Sequence, residues 1–287
     1  MTRYTRSRPA VRVPLYNIDS PSTDPEGGLK SDYLEVHSVS KIYPARDGSP
    51  TTAVSGVDLT IAEGEFISLL GPSGCGKSTL LNMIAGLIEV TSGQIRIEGK
   101  PVTAPYTNLG IVFQSDLLLD WRTVLGNVLT QFDMRGMDPQ PHTARARELI
   151  KSVGLADFET KHPWELSGGM RQRVSICRAL VHDPPLLLMD EPFGALDALT
   201  REQLQLDLQR IWQSTRKTVV FVTHSIAEAV FLSDRVVVMT PRPGKIREIL
   251  DIDLPRPRTL DIRESPEFAH RVRHVNRLFQ ELGVIKA

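Results

Sequence analysis

Gly71-Pro72-Ser73-Gly74-Cys75-Gly76-Lys77-Ser78-Thr79 stands directly behind the apolar run Phe66-Ile67-Ser68-Leu69-Leu70 and ahead of a helical stretch, Thr79 to Leu87. A strand, a glycine-rich turn and a helix in that order bring backbone N–H groups to the positive end of a helix, the setting in which phosphate is bound. Glycines at 71, 74 and 76 let those N–H groups turn inward around phosphate oxygens, where a Cβ would obstruct them. Lys77 then meets the β and γ phosphates, and the Ser78 hydroxyl ligates Mg²⁺. The stretch predicts a nucleotide binder with an α/β fold.

A second apolar run, Leu186-Leu187-Leu188-Met189, ends in Asp190 and Glu191. Ligands of open α/β sheets bind at the carboxyl ends of strands, so these two acids are expected beside the phosphates. Asp190 suits the Mg²⁺, and Glu191, one residue on, suits polarising the attacking water. A third strand, Thr218 to Thr223, is β-branched and delivers His224 at its end. That place suits γ-phosphate sensing, against the alternative of a histidine packed in the core.

Leu166-Ser167-Gly168-Gly169-Met170 precedes a helix expected over Arg171 to His182. Ser167 is a good N-cap, and the paired glycines expose N–H groups at the positive end of the helix. With these residues the chain resembles the ATP-binding-cassette ATPases, whose signature is commonly Leu-Ser-Gly-Gly-Gln. The likeness spans about residues 33 to 250 and rests on seven motifs in order; Met170 departs from the usual glutamine while Ser167, Gly168 and Gly169 are kept.

The resemblance implies a P-loop ATPase core with an antiparallel β subdomain and an inserted helical subdomain. It implies a catalytic group of Glu191, His224, Gln114 of the glutamine loop and Lys77. ATP would be held by Gly71, Pro72, Ser73, Gly74, Cys75, Gly76, Lys77, Ser78 and Thr79, with Tyr43 stacking on adenine. Ser167, Gly168 and Gly169 would meet the γ-phosphate of a second subunit, and Ala195-Leu196-Asp197 would form a dimer contact that brings Asp197 to the site. Mg²⁺ would be met by Ser78, Gln114 and Asp190. Implied partners are a second copy facing head to tail, integral membrane permease subunits and, through them, an extracytoplasmic solute-binding protein. The implied location is peripheral, on the cytoplasmic face of the inner (plasma) membrane.

Composition agrees with that class. The 287 residues carry 34 Lys plus Arg against 34 Asp plus Glu, so no overall basic field invites nucleic acid. Cys75 and Cys177 have no spacing for zinc or a disulfide framework, which points to a reducing cytosol. No apolar run approaches the roughly 18 residues of a membrane span, and no secretory signal is read, so a membrane path is expected on other chains. The segment from Gln114 to Leu166 is too short for the long coiled coil of DNA-repair cassettes. The phosphate loop occurs once, unlike in translation factors with two cassettes, and a kinase or GTPase would have no use for the signature.

Residues 1–31, with Arg3, Arg6, Arg8 and Arg12 among Pro, Ser, Thr and Gly, read as a flexible extension. Residues 32–250 read as the ATPase domain, with the helical subdomain over about 114–182. Leu34, Val36 and Val39 alternate as a strand leading to Tyr43, and a turn-rich insertion, Pro44 to Pro50, precedes a strand pair expected around Thr52 to Ile61. Residues 251–287 read as an extension ending in a helix capped by Ser265 with Pro266 in its first position. Its apolar face is Phe268, Val272, Val275, Phe279 and Leu282, with Arg271, Arg273 and Arg277 elsewhere. Packing onto the core is the expected role of that face, ahead of docking a partner. Trp121, within Leu117 to Val124, is expected either to dock the membrane partner or to pack under the loop.

The segments Leu119 to Val124, Pro241 to Ile246, Leu254 to Arg258 and Ser265 to Phe268 resemble the importer branch handling nitrate, taurine and aliphatic sulfonates. Asp120 stands where that branch often has proline. Importers of bicarbonate and pyrimidine precursors share the branch, so the likeness reaches a group of small solutes and no further.

Overall fold

A computed structural model describes residues 32–44, 49–194 and 196–285; the N-terminal arginines, residues 45–48 of the turn-rich insertion and Ala195 lie outside them. Strand β1 (Asp32–Tyr43) buries Leu34, Val36 and Val39, as their alternation requires. It pairs antiparallel with β2 (Thr51–Ala62), so the sequence from Thr52 to Ile61 forms one strand and not a pair. The strand keeps going through Gly56, whose φ of 57° bends it without ending it.

From β2 the chain enters a second sheet at β3 (Phe66–Leu70), and after helix α1 (Lys77–Ile84) it returns to the first as β4 (Ser92–Ile97) and β5 (Lys100–Pro101). The small sheet has the order β2-β1-β4-β5 and is antiparallel throughout. The helix predicted to begin at Thr79 begins two residues earlier, because Gly76 takes φ 102° and serves as its N-cap.

The large sheet adds β6 (Leu109–Val112), β7 (Leu186–Asp190), β8 (Thr218–Thr223), β9 (Arg235–Met239) and β10 (Ile246–Asp251) in the order β10-β9-β3-β8-β7-β6. Only β10 runs antiparallel to its neighbour. Strands β3 and β8 are buried at every position, which is why they read as near-continuous apolar or β-branched runs, with Ser68 of β3 paired to Ser233, and not as alternations. The carboxyl ends of β3, β7 and β8 therefore deliver Gly71, Asp190 with Glu191, and His224 to one edge of the sheet.

Between β6 and β7 lie α2 (Val124–Met134), α3 (Thr143–Ser152) and α4 (Gly168–Leu180), which bury a core of their own around Val128, Phe132, Ile150, Val174 and Cys177. Helix α4 begins at Gly168, three residues before the expected Arg171, because Ser167 caps it. Helices α5 (Ala198–Thr215), α6 (Ile226–Leu232) and α7 (Pro266–Glu281) share a core with Ile176 and Leu180 of α4 on one face of the large sheet, while α1 and the small sheet pack on the opposite face. Phe268, Val275 and Phe279 of α7 join Val230 and Phe231 of α6 in that core, with Val272 and Leu282 half-buried beside them. Leu278, outside the face read from the sequence, is buried there too.

Candidate nucleotide site

The phosphate loop is built around close approaches that side chains would block. A Cβ on Gly76 would stand 2.7 Å from the Ala53 carbonyl oxygen, and one on Gly71 would stand 2.8 Å from Cys75 Sγ. Cys75 is thus a packing residue beneath the loop, and burial raises its thiol pKa. Lys77 is 5% exposed, and its ammonium donates to the carbonyls of Gly71 at 2.9 Å and Pro72 at 3.1 Å. Its Nζ lies 3.9 Å from Glu191 Oε1.

Across the loop, the Ser78 hydroxyl donates to Asp190 Oδ1 at 3.0 Å, and burial raises the Asp190 carboxyl above its ordinary value. Hydroxyl and carboxylate are hard oxygen donors. No group of three His, Cys, Asp or Glu gathers among the described residues, so a cation here would be completed by phosphate oxygens and water, which is the habit of Mg²⁺. Glu191 has φ 45°, a strained value for a side-chain-bearing residue, held by its N–H donating to the Val222 carbonyl at 2.9 Å. His224 Nδ1 lies 3.1 Å from Glu191 Oε2.

Lys77, Ser78, Asp190 and Glu191 line a cleft of about 410 Å³ together with Gln114, Tyr43 and Thr79; His224 stands outside that lining, in contact with Glu191. Tyr43 is half-buried, with the Lys41 ammonium 5.3 Å from its ring centroid. Arg242 also lines the cleft and donates from Nε to the Gly74 carbonyl at 3.3 Å. In sequence the Pro-Arg-Pro loop around Arg242 is only a subfamily mark; the antiparallel return from β9 to β10 is what carries the arginine to the phosphate loop.

The signature residues do not line this cleft. The Ser167 hydroxyl accepts the Met170 N–H at 3.3 Å, and Gly168 is exposed. Gly169 is buried, and a Cβ on it would stand 2.3 Å from Thr200 Cγ2 in the first turn of α5. Its glycine therefore permits α4 and α5 to meet, a packing reason the sequence did not reveal. Asp197 caps α5 by accepting the Thr200 N–H at 3.0 Å, a bond that lowers its carboxyl pKa.

Past Gln114 the loop is held from within. Asn127 is fully buried and bonds the Leu119 N–H at 2.7 Å and the carbonyls of Leu119, Arg122 and Thr123 at 3.0–3.1 Å. Arg178 donates to the Leu117 and Asp116 carbonyls, both at 2.7 Å. On this braced loop Trp121 is 74% exposed and Leu117 56%, so Trp121 does not pack under the loop. Trp164, 65% exposed, stacks on His162, whose Nδ1 contacts the Asp120 carbonyl oxygen.

A phosphate loop, a Ser–Asp pair and a Lys–Glu–His cluster on the carboxyl edge of a parallel sheet define a P-loop nucleotide-hydrolysing site. Residues 54–194 match the family model described as ABC transporter. The chain is 48% identical over 242 residues to an uncharacterized ABC transporter ATP-binding protein of Methanocaldococcus jannaschii, covering 84% of this chain and 90% of that protein. It is 48% identical over 241 residues to the taurine import ATP-binding protein TauB of Rhizobium johnstonii, covering 82% and 92%. It is 46% identical over 254 residues to the bicarbonate transport ATP-binding protein CmpD of Synechocystis, covering 86% and 89%. Among solved structures, the dimeric bacterial ABC transporter cassette MJ0796 superposes with a TM-score of 0.68 at 34% identity, covering 77% of this chain and all of that one. A post-hydrolysis state of the same cassette, bound to ADP and Pi, gives 0.67 at 32%. The chain belongs to the ABC transporter family, and it is an ATP-binding, ATP-hydrolysing cassette.

Proposed function

We propose that this chain is the ATPase subunit of an importer for a small solute, taurine, sulfonate, nitrate or bicarbonate in kind, whose membrane path is built by separate permease subunits. The observation that carries the ATPase part is the cluster in which Glu191 lies between Lys77, which lines the cleft with it, and His224. Phosphate-loop N–H groups and Lys77 bind the β and γ phosphates, and Tyr43 stacks on adenine. Glu191 orients and polarises the attacking water, while His224 and Gln114 face the γ-phosphate. Ser78, Asp190 and Gln114 would hold Mg²⁺, which when bound supplies charge neutralisation to the phosphates.

Because Ser167, Gly168 and Gly169 stand outside their own chain's cleft, they serve the ATP of a second copy, and Asp197 lies at that contact. Two cassettes thus enclose two nucleotides. The permease docks on the exposed face around Leu117 and Trp121, and an extracytoplasmic solute-binding protein supplies the permease from the other side. No helix among the described residues is long and apolar enough to cross a membrane, which accords with a peripheral subunit on the cytoplasmic face. The balanced charge gives no reason to add a nucleic-acid partner. Residues 32–250 form the ATPase domain, with about 114–182 as its helical subdomain, flanked by extensions over 1–31 and 251–287.

The cargo follows from likeness to the taurine and bicarbonate proteins, since the permease and binding protein would make the solute contacts. It is tested by uptake in a deletion strain supplied with taurine, an alkanesulfonate, nitrate, bicarbonate or a pyrimidine precursor as the limiting nutrient. Loss of one of these, restored by the wild-type chain and not by Lys77→Ala, is the expected result. Unimpaired uptake of all of them, with loss of a sugar or peptide, removes the cargo assignment.

A further inference from the structure

The end of β8 and helix α5 meet at the carboxylate of Glu228. This residue sits in the first turn of α6 and is 7% exposed, yet both of its oxygens are engaged. Oε2 accepts the Thr223 hydroxyl at 2.6 Å, and Oε1 accepts Gln205 Nε2 at 3.2 Å. Thr223 Oγ1 in turn accepts the N–H of Ser225 at 3.0 Å. The residues on either side of His224 are thereby tied to one buried carboxylate.

The tie continues into the C-terminal segment. Gln205, 1% exposed, accepts at Oε1 from the Arg263 guanidinium, which also donates to Glu202 Oε1 at 2.7 Å. Arg263 lies five residues beyond Arg258, the largest fully buried side chain among the described residues. The Arg258 guanidinium donates to the carbonyls of Val230 and Phe231 at 3.0 Å and of Ser233 at 2.8 Å, at the carboxyl end of α6. The same segment therefore holds α6 at both ends, through Arg258 at its finish and through Arg263, Gln205 and Glu228 at its start. Arg201 adds a branch: its Nε is 3.7 Å from Glu228 Oε1, and its Nη2 donates to the Leu196 carbonyl at 3.0 Å.

A buried carboxylate is costly unless its lone pairs are satisfied, and this one is satisfied by groups that fix the backbone around one functional histidine. We propose that Glu228 and Arg263 are positioning residues for ATP hydrolysis, setting His224 against Glu191 through the relay Arg263, Gln205, Glu228 and Thr223. The C-terminal segment thereby becomes part of the ATPase machinery without touching nucleotide. This inference rests on the reading of His224 as a γ-phosphate contact.

The test is steady-state ATP hydrolysis by the full-length chain carrying Arg263→Ala or Glu228→Gln, alone and combined with His224→Ala, with the thermal midpoint followed in parallel. The displacement of one positioned group should lower kcat about five- to tenfold while KM for ATP stays within about twofold. In the His224→Ala background the same changes should cause no further loss, because they act through that side chain. A merely structural role would lower activity by the same factor in both backgrounds, and that result overturns the proposal. Unaltered kcat in both Arg263→Ala and Glu228→Gln, with His224→Ala impaired, overturns the relay alone. A fully active His224→Ala overturns the reading of the histidine and the relay with it. If Arg263→Ala does not fold, Thr223→Val removes the hydroxyl link at nearly constant volume within β8 and carries the same comparison.

Discussion

His224 Nδ1 lies 3.1 Å from Glu191 Oε2, while the other oxygen of that carboxylate faces Lys77 Nζ at 3.9 Å. Glu191 is thereby held between a phosphate anchor and a histidine, with its backbone fixed to β8. A positioned general base contributes typically about 10²–10⁴-fold, so Glu191→Gln should lower kcat by that order while still binding ATP. Lys77→Ala should instead weaken ATP binding. Equilibrium binding and phosphate release separate the two, and near-normal turnover by Glu191→Gln rejects this assignment.

ATP should bring two copies together. Glu191→Gln with ATP is expected to run as a dimer in light scattering and as a monomer without nucleotide. Ser167→Arg on that background removes the α4 cap and places a bulky cation where a γ-phosphate is to be received, and it should abolish the shift. A dimer indifferent to both ATP and the arginine speaks against the shared site.

Trp121 is exposed on a loop braced by Asn127 and Arg178, so its truncation removes surface and not core. Trp121→Ala should leave the thermal midpoint within about 2 °C, the scale of a sub-kcal/mol surface change. In reconstituted vesicles it should weaken the dependence of uptake on ATP hydrolysis, as expected for an aromatic anchor at a docking site. Unchanged coupling with a large fall in stability contradicts the docking assignment.

Gly169 and Thr200 offer a test confined to packing. A Cβ at residue 169 would stand 2.3 Å from Thr200 Cγ2, so Gly169→Ala should cost about 1–3 kcal/mol by overpacking. Thr200→Ser deletes the offending methyl and should recover most of that loss in a denaturant titration. Equal destabilisation by Gly169→Ala with and without Thr200→Ser would show that the helix contact is not the cause.

The elements whose identity was legible are those in which local pattern and burial agree. Phe66–Leu70 and Thr218–Thr223 are central strands with no solvent-facing side, so their apolar or β-branched runs state their position directly. Ser265 announces a helix start because capping is a one-turn interaction, whereas Ser167, legible as a cap, starts α4 three residues before the Arg171 expected. Thr52 to Ile61, expected as a strand pair, is one strand because pairing with β1 carries it through Gly56. Arg258 reads as an ordinary charged residue of a Pro-Arg-Pro-Arg segment, and nothing within that segment reveals the ring of carbonyls it enters. Arg242 and Gly169 were opaque for the same reason: their partners Gly74 and Thr200 lie far away in sequence. Trp121 among leucines fits surface or core alike in sequence; its 74% exposure, on a loop that Asn127 holds from within, makes it surface.

Cys75 sits inside the phosphate loop with its sulfur turned under Gly71, buried and with a thiol pKa raised by that burial. Since the thiolate is the reactive form, peroxide and alkylating electrophiles meet little of it at neutral pH. While the loop keeps this conformation, attack on Cys75 is therefore expected to be slow. The same burial makes the sulfur a reporter: a maleimide that modifies Cys75 does so only when the loop has opened, so its rate of labelling measures how often that happens.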